Sequence, residues 1–173
     1  MSEKFNTLTR MAVTLTLVVG SDGSTSKNGN SAGVSSNADR TEFLARRRSA
    51  DCIIIGGATA RVEPYHQTPV PVVVISRSLI NPLADNRLAH CWNLPPEKAL
   101  DRAIATFGPQ IHIESGISIV KELIKAQRID NLELSITEAT GGKNLIDIDA
   151  LLDNFSQRIE KTVQGTRFIS AAR

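Results

Sequence analysis

The stretch "ADCIIIGGATAR", residues 50–61, decides the fold. Four apolar residues, 52–55, run directly into Gly56 and Gly57, and the small residues that follow favour the start of a helix. A buried strand that ends in a glycine turn before a helix N-terminus is a common way to hold a phosphate-bearing ligand. The alternative is a tight connection inside an α/β core. The sequence around this stretch is needed to distinguish the two interpretations.

Strand-like and helical patterns alternate along the first 137 residues. Apolar runs rich in Val and Ile predict strands over residues 12–19, 51–55, 70–76, 110–114 and 131–137. Helices are predicted between them over residues 39–49, 97–107 and 118–127. This alternation predicts a mostly parallel central sheet with right-handed crossovers and flanking helices.

The pattern changes after residue 140. A helix is predicted over residues 148–155, and two strands are predicted around Gln164 and Gly165. We interpret these two strands as a closing antiparallel hairpin at the edge of the sheet.

Composition indicates an ordinary globular chain. Of the 173 residues, 41% are hydrophobic and 22% are charged, and the net charge of +2 does not by itself indicate a nucleic-acid partner. Cys52 and Cys91 lie far apart without CxxC spacing. They favour free thiols in a reducing, cytoplasmic compartment, although two cysteines can also pair.

The N-terminal apolar run, residues 11–19, follows Lys4 and Arg10 and therefore has some features of a signal peptide. Thr14 and Thr16 interrupt it at a period of two, which favours a half-buried first strand. The run is too short to span a bilayer, so no membrane association is predicted. We interpret residues 1–173 as one domain in which residues 1–10 form a flexible N-terminus.

Several catalytic motifs are absent from the sequence. "GGATAR" is not GxGxxG, and "ATGGKN" lacks the spacing of a P-loop. The three histidines are scattered, so no metal site is predicted. There is no GxSxG elbow and no zinc-deaminase signature.

Polar residues follow the predicted strands where ligands bind in open α/β sheets. These strand ends are Gly20-Ser21-Asp22, Gly56-Gly57, Ser76-Arg77-Ser78 and Glu114-Ser115-Gly116. The set suits a nucleotide cofactor and a second polar molecule better than hydrolysis. The alternatives are that the glycines form only a tight turn, that Arg77 is a solvated surface residue and that Asp22 closes a loop.

The segment over residues 20–37 holds four glycines and six serines. A loop of this length inside a domain is usually functional or disordered. We expect a substrate-facing loop that is mobile in the free protein, with a flexible linker as the alternative.

Four motifs occur in an order that resembles a known family. They are "SDG", "RRRSADCIIIGGATA", "PVPVVVISRS" and "IHIESGISIVKELIKAQRIDNLELS", and the match extends over most of the chain, from about residue 12 to residue 137. This order resembles the reductase domain of the bacterial bifunctional riboflavin-biosynthesis deaminase/reductase. The resemblance implies a single α/β domain of the dihydrofolate-reductase-like fold that uses NADPH.

The resemblance also implies site residues. On the cofactor side they are Gly56, Gly57, Thr59, Ser76, Arg77, Ser115, Gly116 and Ile117. On the substrate side they are Ser21, Lys27, Arg47 and Glu63, together with Asp22 and Glu114 as the catalytic pair. Lys27 is included because the family's DGK motif reads "DGSTS" here, and the family's EGG reads "ESG".

The implied reaction is hydride transfer from NADPH to ribose C1′ of 5-amino-6-(5-phosphoribosylamino)uracil. Glu114 would accept hydrogen bonds from the N–H edge of the heterocycle, because a buried carboxylate needs partners. The resemblance further implies a homodimer, with residues 131–137 and the C-terminal hairpin as candidate contacts. Two alternatives stay open: a reductase of another heterocycle such as a dihydropteridine, and a non-catalytic nucleotide-binding homologue.

Overall fold

The computed structural model describes residues 11–78 and 80–173, so the predicted flexible N-terminus over residues 1–10 lies outside the described residues. The strands are β1 (Ala12–Gly20), β2 (Ser24–Ser26), β3 (Cys52–Gly56), β4 (Val72–Ile75), β5 (Ala89–Trp92), β6 (Gln110–Ile113), β7 (Asn131–Thr137), β8 (Lys143–Leu145), β9 (Gln157–Val163) and β10 (Thr166–Ala172). The α-helices are α1 (Asn37–Arg47), α2 (Gly57–Val62), α3 (Pro96–Phe107), α4 (Ile117–Lys125) and α5 (Ile148–Leu152).

Eight strands form one sheet in the order β5-β4-β3-β6-β1-β7-β10-β9. Neighbours are parallel from β5 through β7, and β10 and β9 are antiparallel to their neighbours. This confirms the predicted mostly parallel sheet with a C-terminal antiparallel hairpin at its edge. The two remaining strands, β2 and β8, pair with each other as a separate ribbon.

Side chains alternate between the two faces of the sheet, because successive residues of a strand point in opposite directions. One face is apolar and packs against α3, α4 and α5 through residues such as Leu100, Leu123 and Leu152. The opposite face lies under α1 and carries several buried polar residues at its centre. They are Thr16, His112, Glu114, Ser135 and Thr137.

Helix α1 begins directly after a serine that caps it. The Ser36 hydroxyl accepts a hydrogen bond from the Asp39 N–H at 3.1 Å, so Ser36 is the N-cap. In the residues that the structure describes, no helix is long and apolar enough to cross a membrane.

The structure differs from the sequence prediction in the position of one strand and in three extra strands. Residues 131–137 lie between β1 and β10, so their main-chain groups are paired on both sides and do not form an open dimer edge. The open edge on that side is β9, and a homodimer stays a prediction. Strands β2, β5 and β8 were not predicted because none of them is a continuous apolar run.

Candidate functional site: two joined clefts

The carboxyl ends of β3, β4 and β6 open into a cleft of about 700 Å³ beside the N-terminus of α4, which we call the α4 cleft. All eight residues predicted on the cofactor side line it. The other wall comes from the connection before α3, which includes Asn93 and Pro95. Parallel strands end at the same edge of a sheet, which explains why segments distant in sequence meet here.

Position 57 requires a glycine because the ends of β3 and β4 come close together at this edge of the sheet. A Cβ atom at Gly57 would lie 2.9 Å from Ser76 Oγ and 3.2 Å from Ser76 Cβ, closer than side chains normally pack. The absent side chain leaves the first turn of α2 open to the α4 cleft. The glycine turn is therefore required by the close approach of β3 and β4.

The N-terminus of α4 provides free donors to the same cleft. Gly116 is the N-cap and has no side chain to bond the first N–H groups of the helix. Ser115 is 6% exposed, and its buried Oγ has no hydrogen-bond partner among the described residues. Uncapped N–H groups, the helix dipole and a hydroxyl together favour an anionic ligand such as a pyrophosphate.

Arg77 adds a positive charge at the rim of the α4 cleft. It is exposed, and within the described chain it forms no ion pair. Ser76 beside it accepts a hydrogen bond from the Ser78 N–H at 3.1 Å, which shapes the turn that presents Arg77. A free guanidinium at this position can bind a phosphate group bidentately.

A second cleft of about 340 Å³ lies between α1 and the sheet, and we call it the α1 cleft. It is joined to the α4 cleft by residues that line both: Ala58, Thr59, Ser115, Gly116 and Ile117. On its far side it continues into an outer pocket of about 490 Å³ near residues 30–37. Two ligands can therefore occupy adjoining sites and meet at the shared residues.

Glu114 is buried at the floor of the α1 cleft in a bidentate pair with Arg47. Arg47 Nη2 donates to Glu114 Oε2 at 2.7 Å, and Arg47 Nε lies 3.1 Å from Oε1 and 3.0 Å from Oε2. The Tyr65 hydroxyl donates to Oε2 at 2.7 Å. The guanidinium lies between the Phe43 and Tyr65 rings, 4.2 Å and 4.5 Å from their centroids. This network fixes both charges in one geometry.

The electrostatics of this network follow from burial and pairing. Burial opposes the charged form of Arg47, but the hydrogen bond and charge of Glu114 outweigh it, so the pKa of Arg47 is raised. Burial, and then the negative charge of Glu114, raise the pKa of Tyr65 well above its usual value. Arg47 therefore stays charged and Tyr65 stays protonated at neutral pH.

Three of the residues predicted on the substrate side line neither cleft. Ser21, Asp22 and Lys27 instead bond the loop after β7 through main-chain groups of residues 139–141. Asp22 also accepts hydrogen bonds from the Ser24 N–H and hydroxyl at 3.1 and 2.6 Å, and these contacts lower its pKa. This is the loop-closing role that the sequence left open for Asp22.

Glu63 lines the α1 cleft with Arg47 and Glu114, and it holds the loop over residues 20–37. Its Oε1 accepts a hydrogen bond from the Ser31 N–H at 2.7 Å. Residues 29–31 of that loop also line the α1 cleft.

Among the residues of the α1 cleft that the sequence prediction missed are Thr16, Asp39, Phe43 and Tyr65. Asp39, Phe43 and Arg47 are spaced by four residues and share one face of α1, a signal present in the sequence. Tyr65 lies in an irregular connection and carries no such signal. Across the described residues, no group of three or more His, Cys, Asp and Glu side chains is arranged to hold a metal ion.

Comparison with known proteins identifies solved structures that share this fold. A scan against models of protein families finds no match, and neither does a search of curated proteins. Dihydrofolate reductase from Enterococcus faecalis, solved in complex with NADP(H) and RAB-propyl, superposes with a TM-score of 0.72 at 17% identity, over 94% of this chain and 96% of that chain.

Two further solved structures bear on the resemblance. One is a putative riboflavin biosynthesis protein from Shewanella (TM-score 0.70, 18% identity, covering 94% of this chain and 99% of that one). The other is the deaminase/5-amino-6-(5-phosphoribosylamino)uracil reductase of Thermotoga maritima (TM-score 0.69, 13% identity). The match covers 94% of this chain but only 56% of the Thermotoga chain. The chain therefore has the fold that dihydrofolate reductase shares with the reductases of riboflavin biosynthesis.

Proposed function

We propose that the protein is an NADPH-dependent reductase that transfers a hydride to a small heterocyclic substrate of the aminopyrimidine class. The observation that carries this proposal is the junction of the two clefts at Ala58, Thr59 and residues 115–117. Hydride transfer requires that the donor and the acceptor are held in contact in a fixed orientation, and two adjoining clefts can hold them in this way.

The residues of the α4 cleft fit NADPH. The open turn at Gly57 and the uncapped N-terminus of α4 suit the pyrophosphate, and the unpartnered Ser115 hydroxyl adds a donor. Arg77 is free to bind the 2′-phosphate that distinguishes NADPH from NADH. When bound, NADPH supplies the hydride.

On the substrate side, the chain acts by positioning. Arg47 and Glu114 neutralise each other. A substrate would therefore contact a fixed ion pair at the bottom of the α1 cleft, and not an uncompensated charge. The Phe43 and Tyr65 rings hold this ion pair in place and give the cleft apolar surface for a planar ring. Direct contact of Glu114 with the heterocycle stays a prediction.

The family resemblance supports 5-amino-6-(5-phosphoribosylamino)uracil as the first substrate to test, with reduction at ribose C1′. Asp22 is a poor candidate for the proton donor, because its carboxylate is occupied by Ser24 and Gly141 and lies outside both clefts. We assign the proton to solvent water that enters from the open side of the α1 cleft.

The test is a titration followed by an assay. NADPH and NADH are titrated against the protein, and oxidation of NADPH is then followed at the nicotinamide absorbance band with the pyrimidine substrate and with a dihydropteridine. We expect NADPH to bind more tightly than NADH and one heterocycle to be reduced. Binding of NADPH without turnover would support the non-catalytic alternative, and no binding of NADPH would refute the proposal.

A further inference from the structure

Strand β9 forms one edge of the eight-stranded sheet. It pairs with β10 on its inner side, and among the residues that the structure describes no strand pairs with its outer side. All seven residues of β9 are exposed, and Ile159 is 76% exposed. The strand contains no proline, and its register with β10 runs from residue 157 to residue 163 without a bulge. Proline and bulges commonly protect an edge against pairing with another chain, so β9 presents an unprotected row of main-chain donors and acceptors.

The turn between β9 and β10 determines which β9 residues have outward-facing main-chain groups. Gln164 and Gly165 both have positive φ, 50° and 78°, and form a two-residue turn, so Val163 and Thr166 are a hydrogen-bonded pair. Hydrogen-bonded and non-hydrogen-bonded pairs alternate along an antiparallel ladder, so the odd-numbered residues of β9 bond β10. The even-numbered residues direct their N–H and C=O groups to the open side. They are Arg158, Glu160 and Thr162.

The charges of β9 select one register for a second copy of the strand. Two copies that pair antiparallel through their outward-facing residues are related by a two-fold axis through one residue of the strand. An axis at Ile159, Glu160 or Lys161 pairs residues 157–161, 157–163 or 159–163, and any other axis pairs at most three residues of β9. An axis at Glu160 or Lys161 places two like charges directly opposite each other, which is destabilising. An axis at Ile159 instead places Arg158 opposite the partner subunit's Glu160.

The axis at Ile159 also fits the neighbouring charges. Within one chain, Arg158 Nη2 lies 3.4 Å from Asp153 Oδ1, and Arg167 Nε donates to Glu160 Oε1 at 2.7 Å. A contact between Arg158 and the partner subunit's Glu160 joins these two pairs into a row in which negative and positive charges alternate. The two-fold axis generates this row twice. On the opposite face of the sheet, the two Ile159 side chains cover each other and lose their exposure to water.

We propose that β9 is the contact of a two-fold homodimer in which two copies of the strand pair antiparallel with Ile159 on the axis. The two eight-stranded sheets then form one continuous sheet. None of residues 157–163 lines the α1 cleft or the α4 cleft, so each subunit keeps both clefts. The inference therefore does not depend on the proposed function.

The first test reverses one charge at a time and measures molar mass by analytical ultracentrifugation over a range of protein concentrations. Arg158→Glu brings two carboxylates together, and Glu160→Arg brings two guanidinium groups together. Each variant should raise the dissociation constant of the dimer by about tenfold or more, because repulsion replaces attraction at two symmetric places. An equimolar mixture of the two variants restores opposite charges in both pairs and should dimerise about as tightly as the wild type.

The matched control is Lys125→Glu, a charge reversal at an exposed residue of α4 outside β9, which should leave the dissociation constant unchanged. Thermal unfolding shows that each variant is folded. A wild-type protein that stays monomeric at its highest soluble concentration would overturn the proposal. So would single variants that dimerise like the wild type, or a mixture that fails to dimerise.

The second test decides the register. Ile159 and its copy form a non-hydrogen-bonded pair, in which the Cβ atoms are close enough for a disulfide. Ile159→Cys should therefore give an oxidised dimer on a non-reducing gel, whereas Lys161→Cys, which lies opposite Gln157, should not. The wild type, with Cys52 buried and Cys91 half-buried, is oxidised in parallel as the control. Cross-linking of Lys161→Cys in place of Ile159→Cys would move the axis to residue 161 and overturn the proposal.

Discussion

The α4 cleft and the α1 cleft lie next to each other but present different groups to a ligand. The α4 cleft offers a glycine turn, helix N–H groups and the Ser115 hydroxyl, with the Arg77 guanidinium at its rim. The α1 cleft offers charged and aromatic side chains, several of them fully committed to each other. Main-chain donors recognise a phosphate group that many ligands share, whereas side chains distinguish one heterocycle from another.

The difference predicts that breaking the Arg47–Glu114 pair of the α1 cleft affects folding, whereas substitutions in the α4 cleft affect binding. Glu114→Gln should lower the free energy of unfolding by about 3–5 kcal/mol, because Arg47 stays buried without its counter-charge. Urea denaturation measures this. Replacing both partners with apolar residues, Arg47→Met with Glu114→Leu, should restore most of the loss. If Glu114→Gln is as stable as the wild type, the Arg47–Glu114 pair does not stabilise the fold around this cleft.

The second largest effect is expected at the rim of the α4 cleft. Arg77→Ala should lower NADPH affinity by about 1.5–3 kcal/mol, which is roughly ten- to over a hundredfold, because one charged contact to the 2′-phosphate is lost. NADH affinity and the free energy of unfolding should hardly change. Titrating both cofactors against both proteins measures this, and a variant that keeps its preference for NADPH would argue against a phosphate contact at Arg77.

A smaller effect is expected at Ser115. Ser115→Ala removes a neutral donor, so NADPH affinity should fall by about 0.5–1.5 kcal/mol. Stability without cofactor should stay the same or rise slightly, because the buried hydroxyl has no hydrogen-bond partner among the described residues. Thermal unfolding measured with and without NADPH distinguishes a loss of NADPH affinity from a change in the stability of the free protein. Lower stability in both conditions would indicate a structural hydroxyl.

The α1 side should also respond to pH, through His112. Burial lowers the pKa of His112 below 6.5, Arg46 lowers it further and Glu114 opposes this shift. The unfolded chain then binds the proton more tightly, so stability falls as pH drops below about 6.5, by at most about 1.4 kcal/mol per pH unit. His112→Gln should flatten this part of the pH profile of urea unfolding. An unchanged profile would assign the acid sensitivity to another group.

The smallest effect is expected in the loop over residues 20–37, which lines the α1 cleft and not the α4 cleft. Amide hydrogen exchange of residues 22–35 should slow when 5-amino-6-(5-phosphoribosylamino)uracil is added to the NADPH complex, and should change little with NADPH alone. Equal exchange in all three states would show that the loop does not close over a ligand.

The comparison of the clefts also explains what could be predicted from the sequence. The parallel sheet and the hairpin follow from apolar runs and their alternation with helices, which are local patterns. The α4 cleft follows from the ends of β3, β4 and β6, because parallel strands end at one edge of the sheet, whereas residues 20–22 at the end of β1 line neither cleft. Strands β2, β5 and β8 escaped prediction because their residues are short, mixed or exposed runs, and pairing partners alone make them strands.

The sequence by itself determined the fold class, the succession of the main strands along the chain and the strand ends at residues 56–57, 76–77 and 115–116 that line the α4 cleft. Only the tertiary structure determined which residues form the α1 cleft, because the contacts in this cleft join residues far apart in the chain. Glu114 meets Arg47 across 67 positions and Tyr65 across 49 positions. Whether a carboxylate is neutralised, as Glu114 is, or left available, as Asp39 is, depends on which side chains the fold brings within hydrogen-bond distance.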